Sequence, residues 1–354
     1  MSNPLTGRDI INIRDLTQKE WRYLIDLAAQ LKAQKISGTD QHWFGGKNVL
    51  ANFEWGSTRT RCAFETSCND LGMGFTYLSN SHVNDTETVR DSIRVFSEMY
   101  DLITWRAQKD ESYLREIAEH ASIPVISAVS LGDHPTQMLA DALTMEEQWG
   151  GAGSSKGKKM AFVGNCAGAP LWYGRLAAMM DMDFYAIQPD NIRHQMCKTM
   201  QDDVRECFER WAPNRQFVAT TDLDALKGLD VIVTEEWRYL NPECGGEVLD
   251  PMKYESYMGD AKDLLPYRVS LETMERTGNP DIFVMHELPS THNADHATGQ
   301  RLLAEAPDEW SRDIIRTGFE ITDECFEANA SVIFREAGNR QHTIKAMMCA
   351  VLGI

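Results

Sequence analysis

Apolar and polar positions follow two alternating rhythms along this chain. Leu16, Trp21, Leu24, Ile25, Leu27, Ala28 and Leu31 recur at helical spacing, which predicts an amphipathic helix over residues 16–36, with Thr17 as N-cap and Gly38 just past its end. Gly45-Gly46-Lys47 then turns into a short strand, Asn48–Glu54. A helix follows from Ser57, carrying Phe64 and Leu71. Phe75–Leu78 reads as a strand, Glu87–Met99 as a helix, Asp101–Arg106 as a strand, Glu111–His120 as a helix and Pro124–Ala128 as a strand. Strands alternating with helices imply a parallel sheet covered on both faces.

Residues 150–159, rich in Gly, Ser and Lys, form the clearest break in composition and read as a loop or linker. A second alternating series opens with Lys159–Gly164, and its later strands are Phe184–Ile187, Asp230–Thr234 and Ile282–Met285. The pattern predicts an α/β chain of two domains, 1–149 and 150–340, each a mostly parallel sheet flanked by helices. The last helical stretch, about Thr343–Leu352, has no strand after it, so residues 341–354 are expected to pack back on the first domain. No internal repeat is visible. Residues 238–256 are polar, contain Gly and Pro, and are long for a loop, a length that usually marks function or mobility.

Composition narrows the class of protein. The 354 residues are 43% apolar and 25% charged, enough for a packed core. Lys and Arg number 35 against 53 Asp and Glu, a net charge of -18 that repels nucleic acid and anionic membranes but leaves room for a local basic pocket. No stretch approaches the ~20 apolar residues of a membrane span. The segment Met1–Asp9 lacks the charged-then-apolar order of a secretory signal, so a cytoplasmic location is expected. The eight cysteines, at 62, 68, 166, 197, 207, 244, 325 and 349, form no C-x-x-C pair and are expected to be reduced, mostly buried thiols.

One constellation carries chemistry. Ser57-Thr58-Arg59-Thr60-Arg61 lies between a strand and a helix, where unpaired backbone N–H groups and the helix dipole favour an anion. Three hydroxyls and two guanidiniums add donors that match phosphate. The bland alternative is a capped helix with a solvated first turn, but two arginines there oppose the dipole. Arg106 ends a strand and His134-Pro135-Thr136-Gln137 follows the next one, so all three elements can converge where open parallel sheets bind ligands.

These residues resemble a known family. Ser57–Arg61 together with His134–Gln137 is similar to the carbamoyl-phosphate signature of the aspartate and ornithine carbamoyltransferases. Tyr257-Met258-Gly259 stands where the ornithine enzymes carry Ser-Met-Gly, His286-Glu287-Leu288-Pro289 where they carry His-Cys-Leu-Pro, and Glu336–Ala346 resembles their tail. The resemblance implies a first domain that binds carbamoyl phosphate, a second that binds the amine acceptor, and a ureido product such as citrulline plus phosphate. It implies that Ser57, Thr58, Arg59, Thr60 and Arg106 hold the phosphate, that Thr60, Arg106, His134 and Arg340 point at the carbonyl oxygen, and that Gln137 and the Leu288 carbonyl accept from the carbamoyl NH₂. Donors preorganised around a developing oxyanion commonly contribute ~10²–10³ in rate each. No metal or cofactor is implied. The family's trimer is expected too, with a loop from a neighbouring copy reaching the site. That loop corresponds to residues 79–85, where His82 replaces the ornithine enzymes' Gln and is left as a weaker phosphate donor.

The departures gather on the acceptor side. Glu287 replaces the ornithine enzymes' Cys, Glu235 stands for their acceptor-binding Asp, and Tyr173-Gly174-Arg175 resembles the aspartate enzymes instead, where that Arg grips a carboxylate. Trp55-Gly56 replaces the usual residues before Ser57, and residues 238–256 are extra. Tyr257, Met258, Glu235, Glu287 and Arg175 therefore form the expected acceptor set. Arg175 suits a carboxylate and the glutamates suit ammonium groups, which keeps ornithine and near relatives first. A diamine such as putrescine suits the glutamates but leaves Arg175 without a role; lysine, shorter diamino acids and N-acylated ornithines are further alternatives. Glu287 and Arg175 could instead pair with each other, and Glu236 and Arg238 are expected at the surface. A silent homologue that binds carbamoyl phosphate without turnover also remains open. Gly164-x-x-x-Gly168 does not match the G-x-G-x-x-G of nucleotide-dependent oxidoreductases.

Overall fold

The computed structural model describes residues 4–39, 42–79, 81–83, 85–240 and 249–353. The chain divides into two compact units: Ser155–Glu336 forms one, and the chain before and after it forms the other.

The first unit is built on a parallel sheet of β1 (Asn48–Phe53), β2 (Gly74–Leu78), β3 (Leu102–Arg106) and β4 (Val125–Val129), in the order β2-β1-β3-β4. β3 is buried except at Arg106 and β4 throughout, because helices cover both faces, as parallel sheets require. The first helix, Gln18–Ser37, starts at Thr17, whose hydroxyl accepts from the Glu20 N–H while the Glu20 carboxylate accepts from the Thr17 N–H. It ends at Gly38 in the left-handed conformation (φ 68°). Ile93, Ile103, Trp105, Leu114, Ile117 and Val125 make up much of the core on one face of this sheet. Each such side chain contributes roughly 1.5–3 kcal/mol by leaving water.

In the second unit β5 (Lys159–Val163), β6 (Asp183–Ile187), β7 (Phe217–Thr220), β8 (Val231–Thr234) and β9 (Phe283–His286) are again all parallel, in the order β7-β6-β5-β8-β9. β7 was not legible in the sequence: all four of its residues are only half-buried at the sheet edge, so its apolar signal is weak. The unit's core gathers Ala161, Val163, Ile232, Val284, Ile321 and Ile333.

The final helix runs Asp323–Leu352, not from Thr343 as its apolar pattern suggested. Asn329, Glu336, Asn339, Arg340, His342 and Lys345 are all buried along it, so polar residues interrupt the stripe that would have revealed the earlier turns. Its part from Ala337 onward belongs to the first unit, and Arg340 with it. There Lys345 pairs with Asp70 at 2.6 Å, Asn339 donates to Thr144 at 2.8 Å, and the Gln341 carbonyl accepts from Ser67 at 2.7 Å. The division between Glu336 and Ala337 falls inside a helix, where composition carries no mark. No helix among the described residues is long and apolar enough to cross a membrane.

Candidate active site

Strand order reverses direction between β1 and β3 in the first unit, and between β5 and β8 in the second. Such switch points open a crevice at the carboxyl ends of the strands. In the first unit, β1 runs out into Ser57 and the helix Thr58–Leu71, and β3 ends at Arg106. Ser57 caps the helix by accepting from the Thr60 N–H at 3.3 Å, which fixes that turn. Thr60 is buried, Arg59 is half-buried and Thr58 is exposed. The Arg106 guanidinium stacks 4.5 Å over the Trp55 ring, which orients it.

β4 leads through Asp133 into the helix Pro135–Gln148, whose first turn is His134–Gln137. The His134 N–H donates to Asp133 at 2.9 Å, and its ring Nδ1 lies 3.2 Å from the Thr136 hydroxyl. Arg340 reaches the same place, donating to Thr60 at 2.8 Å and to Thr136 at 3.3 Å. Burial, then the guanidiniums of Arg340, Arg106 and Arg59, hold the His134 pKa well below the usual imidazole value, so the ring is neutral. The Gln137 amide NH₂ donates to the buried Asp141 at 2.8 Å, an i,i+4 contact that fixes which way the amide faces. Three cations, two hydroxyls and a neutral imidazole therefore share one crevice, an arrangement suited to an oxyanion next to a phosphate.

The second unit carries the opposite charge. Thr234 of β8 lies in register with His286 of β9, so Glu235 and Glu287, one residue on, emerge side by side. Glu235 is buried. Burial raises its pKa well above the carboxylate range, and the charge of Glu287 and a hydrogen bond between the two carboxyls add to this. Oε2 of Glu287 is buried without a partner among the described residues. The Tyr239 phenol is pushed well up, by burial and then by Glu235, Glu287 and Glu236. The turn after β9 is held from behind. His286 Nε2 lies 3.2 Å from Glu320, and His286 Nδ1 accepts from the Leu288 N–H at 2.9 Å. Ser290 and the Thr291 N–H donate to the same Glu320 oxygen, at 2.6 and 2.9 Å. Leu288 sits at φ 59°, a left-handed conformation that its N–H contact with His286 supports.

Several sequence expectations need correction. Arg175 pairs with Asp203 and not with Glu287. Its Nε and Nη2 donate to Asp203 at 2.7 and 2.9 Å, in a site where Arg175 is almost wholly buried. Glu236 and Arg238 are not surface residues but a largely buried pair at 2.6 Å. Arg61 turns out of the anion site, over the Tyr77 ring and toward Glu65. His82 is exposed and bonds locally to Thr86, while Asn80 and Asn84 of its loop lie outside the described residues, as do 241–248. Tyr257 is buried and packs on Phe319, and Met258 is half-buried beside it. Sequence reasoning gave no role to Thr136, Asp141, Asp203 or Glu320. Thr136 lay inside the His134–Gln137 motif and Asp141 at i+4 from Gln137, while Asp203 and Glu320 carried no signal.

Comparison with known proteins agrees with this geometry. Residues 8–147 match the family described as aspartate/ornithine carbamoyltransferase, carbamoyl-P binding domain, and residues 156–351 match its Asp/Orn binding domain. The chain belongs to the aspartate/ornithine carbamoyltransferase family. Among its relatives, a catabolic ornithine carbamoyltransferase of Clostridium perfringens is 38% identical, with 100% of both chains covered. An ornithine carbamoyltransferase of Actinobacillus pleuropneumoniae is 34% identical over 99% of this chain and 100% of that one. Solved ornithine carbamoyltransferases share the fold of this family member. That of Pyrococcus furiosus gives a TM-score of 0.78 at 25% identity, covering 99% of this chain and 98% of that one. That of Giardia lamblia gives 0.75 at 27%, covering 97% of each.

Proposed function

We propose that this chain transfers the carbamoyl group of carbamoyl phosphate to a primary amine of an ornithine-like acceptor, releasing a ureido product and phosphate. The observation that carries the reading is the convergence of Arg59, Arg106 and Arg340 on the neutral His134 in the first unit. Carbamoyl phosphate is a dianion with a carbonyl next to its leaving group. In this reading Ser57, Thr58, Arg59, Thr60 and Arg106 bind the phosphate, and Thr60, Arg106, His134 and Arg340 face the carbonyl oxygen. Negative charge grows on that oxygen as the amine attacks, and donors already in place stabilise it without reorganising. His134 Nδ1 lies 3.2 Å from the Thr136 hydroxyl, and in this reading the proton of the neutral ring sits on Nε2, where it serves as a donor. The Gln137 carbonyl oxygen, oriented by Asp141, and the Leu288 carbonyl accept from the carbamoyl NH₂. The released phosphate takes the proton of the attacking amine.

The second unit receives the acceptor, with Glu235 and Glu287 facing its ammonium groups and Tyr257 and Met258 beside them. The relatives' names put ornithine at the head of the candidates, with citrulline as the product. We include the homotrimer, His82 as a donor from a neighbouring copy, and a cytoplasmic location in the same proposal; sedimentation of the purified chain tests the trimer.

The experiment is ureido-product formation from carbamoyl phosphate across a panel of amines, with Arg59→Ala and His134→Ala beside the parent. Each variant is expected to lose at least ~10²-fold in kcat/KM. A smaller loss in both removes the oxyanion and phosphate roles. Binding of carbamoyl phosphate with no product from any amine would identify a silent homologue.

A further inference from the structure

Charge balance on the second unit singles out the acceptor's chemistry. Arg175, the residue that would have met a carboxylate, is fully engaged by Asp203. Arg238 is engaged by Glu236. Each pair is internally neutral. One residue past the paired ends of β8 and β9 stand Glu235 and Glu287, two neighbouring carboxyls, and burial with the charge of Glu287 raises the Glu235 pKa well above the carboxylate range. Glu287 Oε2 is a buried acceptor without a partner among the described residues. This is the complement of a single ammonium group. Ornithine brings, at the end that does not react, an ammonium and a carboxylate whose charges cancel. The corresponding diamine brings the ammonium alone. A carboxylate placed beside two carboxyls is repelled, and the guanidinium that would have compensated it is already taken.

We propose that the acceptor is a diamine, a primary amine that is carbamoylated and a second ammonium held by Glu235 and Glu287, with no carboxylate. Glu287 is then the residue that sets specificity. The inference rests on the reading that this unit receives the acceptor of carbamoyl transfer, and it reverses the order in which ornithine stood first. In the reaction the neutral amine forms a C–N bond to the carbamoyl carbon, the C–O bond to phosphate breaks, and the amine's proton leaves with the phosphate. The second ammonium is unchanged.

Ornithine and 1,4-diaminobutane differ by one carboxylate, so the ratio of their kcat/KM values reads that group alone. The diamine is expected to be favoured at least ~10-fold. Glu287→Gln, which keeps shape and removes charge, is expected to lower kcat/KM for the diamine at least ~10-fold and to leave KM for carbamoyl phosphate within about twofold. Glu287→Cys is expected to narrow the preference by raising turnover of ornithine. A ratio at or below one overturns the diamine assignment and leaves carbamoyl transfer standing. An unchanged ratio in both variants overturns the role of Glu287. Failure of every amine in the parent protein, with carbamoyl phosphate bound, defeats the underlying reading instead.

Discussion

In the first unit a buried imidazole lies among three guanidiniums; in the second a buried carboxyl lies against another carboxyl. Both groups are pushed toward their neutral forms, His134 toward losing a proton and Glu235 toward keeping one. Neutrality comes from the same two causes in each case, desolvation and like charge nearby. The consequences are opposite. The first unit concentrates positive potential around a donor-rich crevice, as an anion with a developing oxyanion requires. The second sets two carboxyls side by side and pairs Arg175 with Asp203 and Arg238 with Glu236, as a cationic acceptor requires. A chain with a net charge of -18 can therefore bind a dianion, because the cations that matter are placed by β1, β3 and the final helix, not by composition.

The most severe way to test this contrast is to break the pair that ties Arg175 to Asp203. Arg175→Ala leaves Asp203 without its buried partner and should cost about 3–5 kcal/mol of stability in denaturant unfolding. The folded fraction should keep its KM for the amine. A raised KM with unchanged stability would return Arg175 to the acceptor site and erase the contrast. Next in size is Arg340→Ala in the first unit. It removes donors to Thr60 and Thr136 and should lower kcat/KM about 10²–10³-fold, or about 2.7–4 kcal/mol in the barrier. Equal losses with every amine acceptor would confirm that the first unit acts on carbamoyl phosphate alone.

The two units also differ in how much of them could be read in advance. In the first, Ser57–Thr60, Arg106 and His134–Gln137 sit at strand ends and helix starts, where local pattern alone marks an anion site. Their nearness depends only on the parallel order of four strands. In the second, the decisive fact is that β8 and β9 are neighbours in register, and no local pattern in either strand announces it. The same holds for Arg175–Asp203. The two residues lie on different helices, so resemblance to the aspartate enzymes suggested a ligand where long-range packing supplies a partner. The final helix failed for a different reason: polar residues buried by tertiary pairing, such as Lys345 with Asp70, hide the periodicity on which a sequence reading relies.

Proton linkage sharpens the contrast further. Glu235 has a folded pKa raised above its unfolded value. Its contribution to stability is fully present below about 4.5 and is lost as pH rises through the folded pKa. Glu235→Gln removes that dependence. It should flatten the alkaline side of the stability curve, leaving the variant more stable than the parent at pH 8. No difference between the two proteins from pH 5 to 8 would mean the carboxyl is ionised in the fold, and the shared-proton arrangement with Glu287 would fall.

The smallest effect lies at the other end of the pH scale and in the other unit. His342 sits on the final helix, with its ring Nδ1 buried and without a partner among the described residues. Burial, then Lys32, Lys345 and Lys35, press its pKa down to about 4, with Asp70 opposing them. A depressed imidazole contributes stability that is fully present above its unfolded value of about 6.5 and lost as pH falls through the folded value. His342→Gln should therefore flatten the acid limb between pH 6.5 and 4. Residual solvent near the ring limits the gain to about 1 kcal/mol. The two substitutions must act on opposite limbs, Glu235→Gln on the alkaline and His342→Gln on the acid. If both moved the same limb, one of the two neutral forms, carboxyl or imidazole, would be wrongly assigned in the fold.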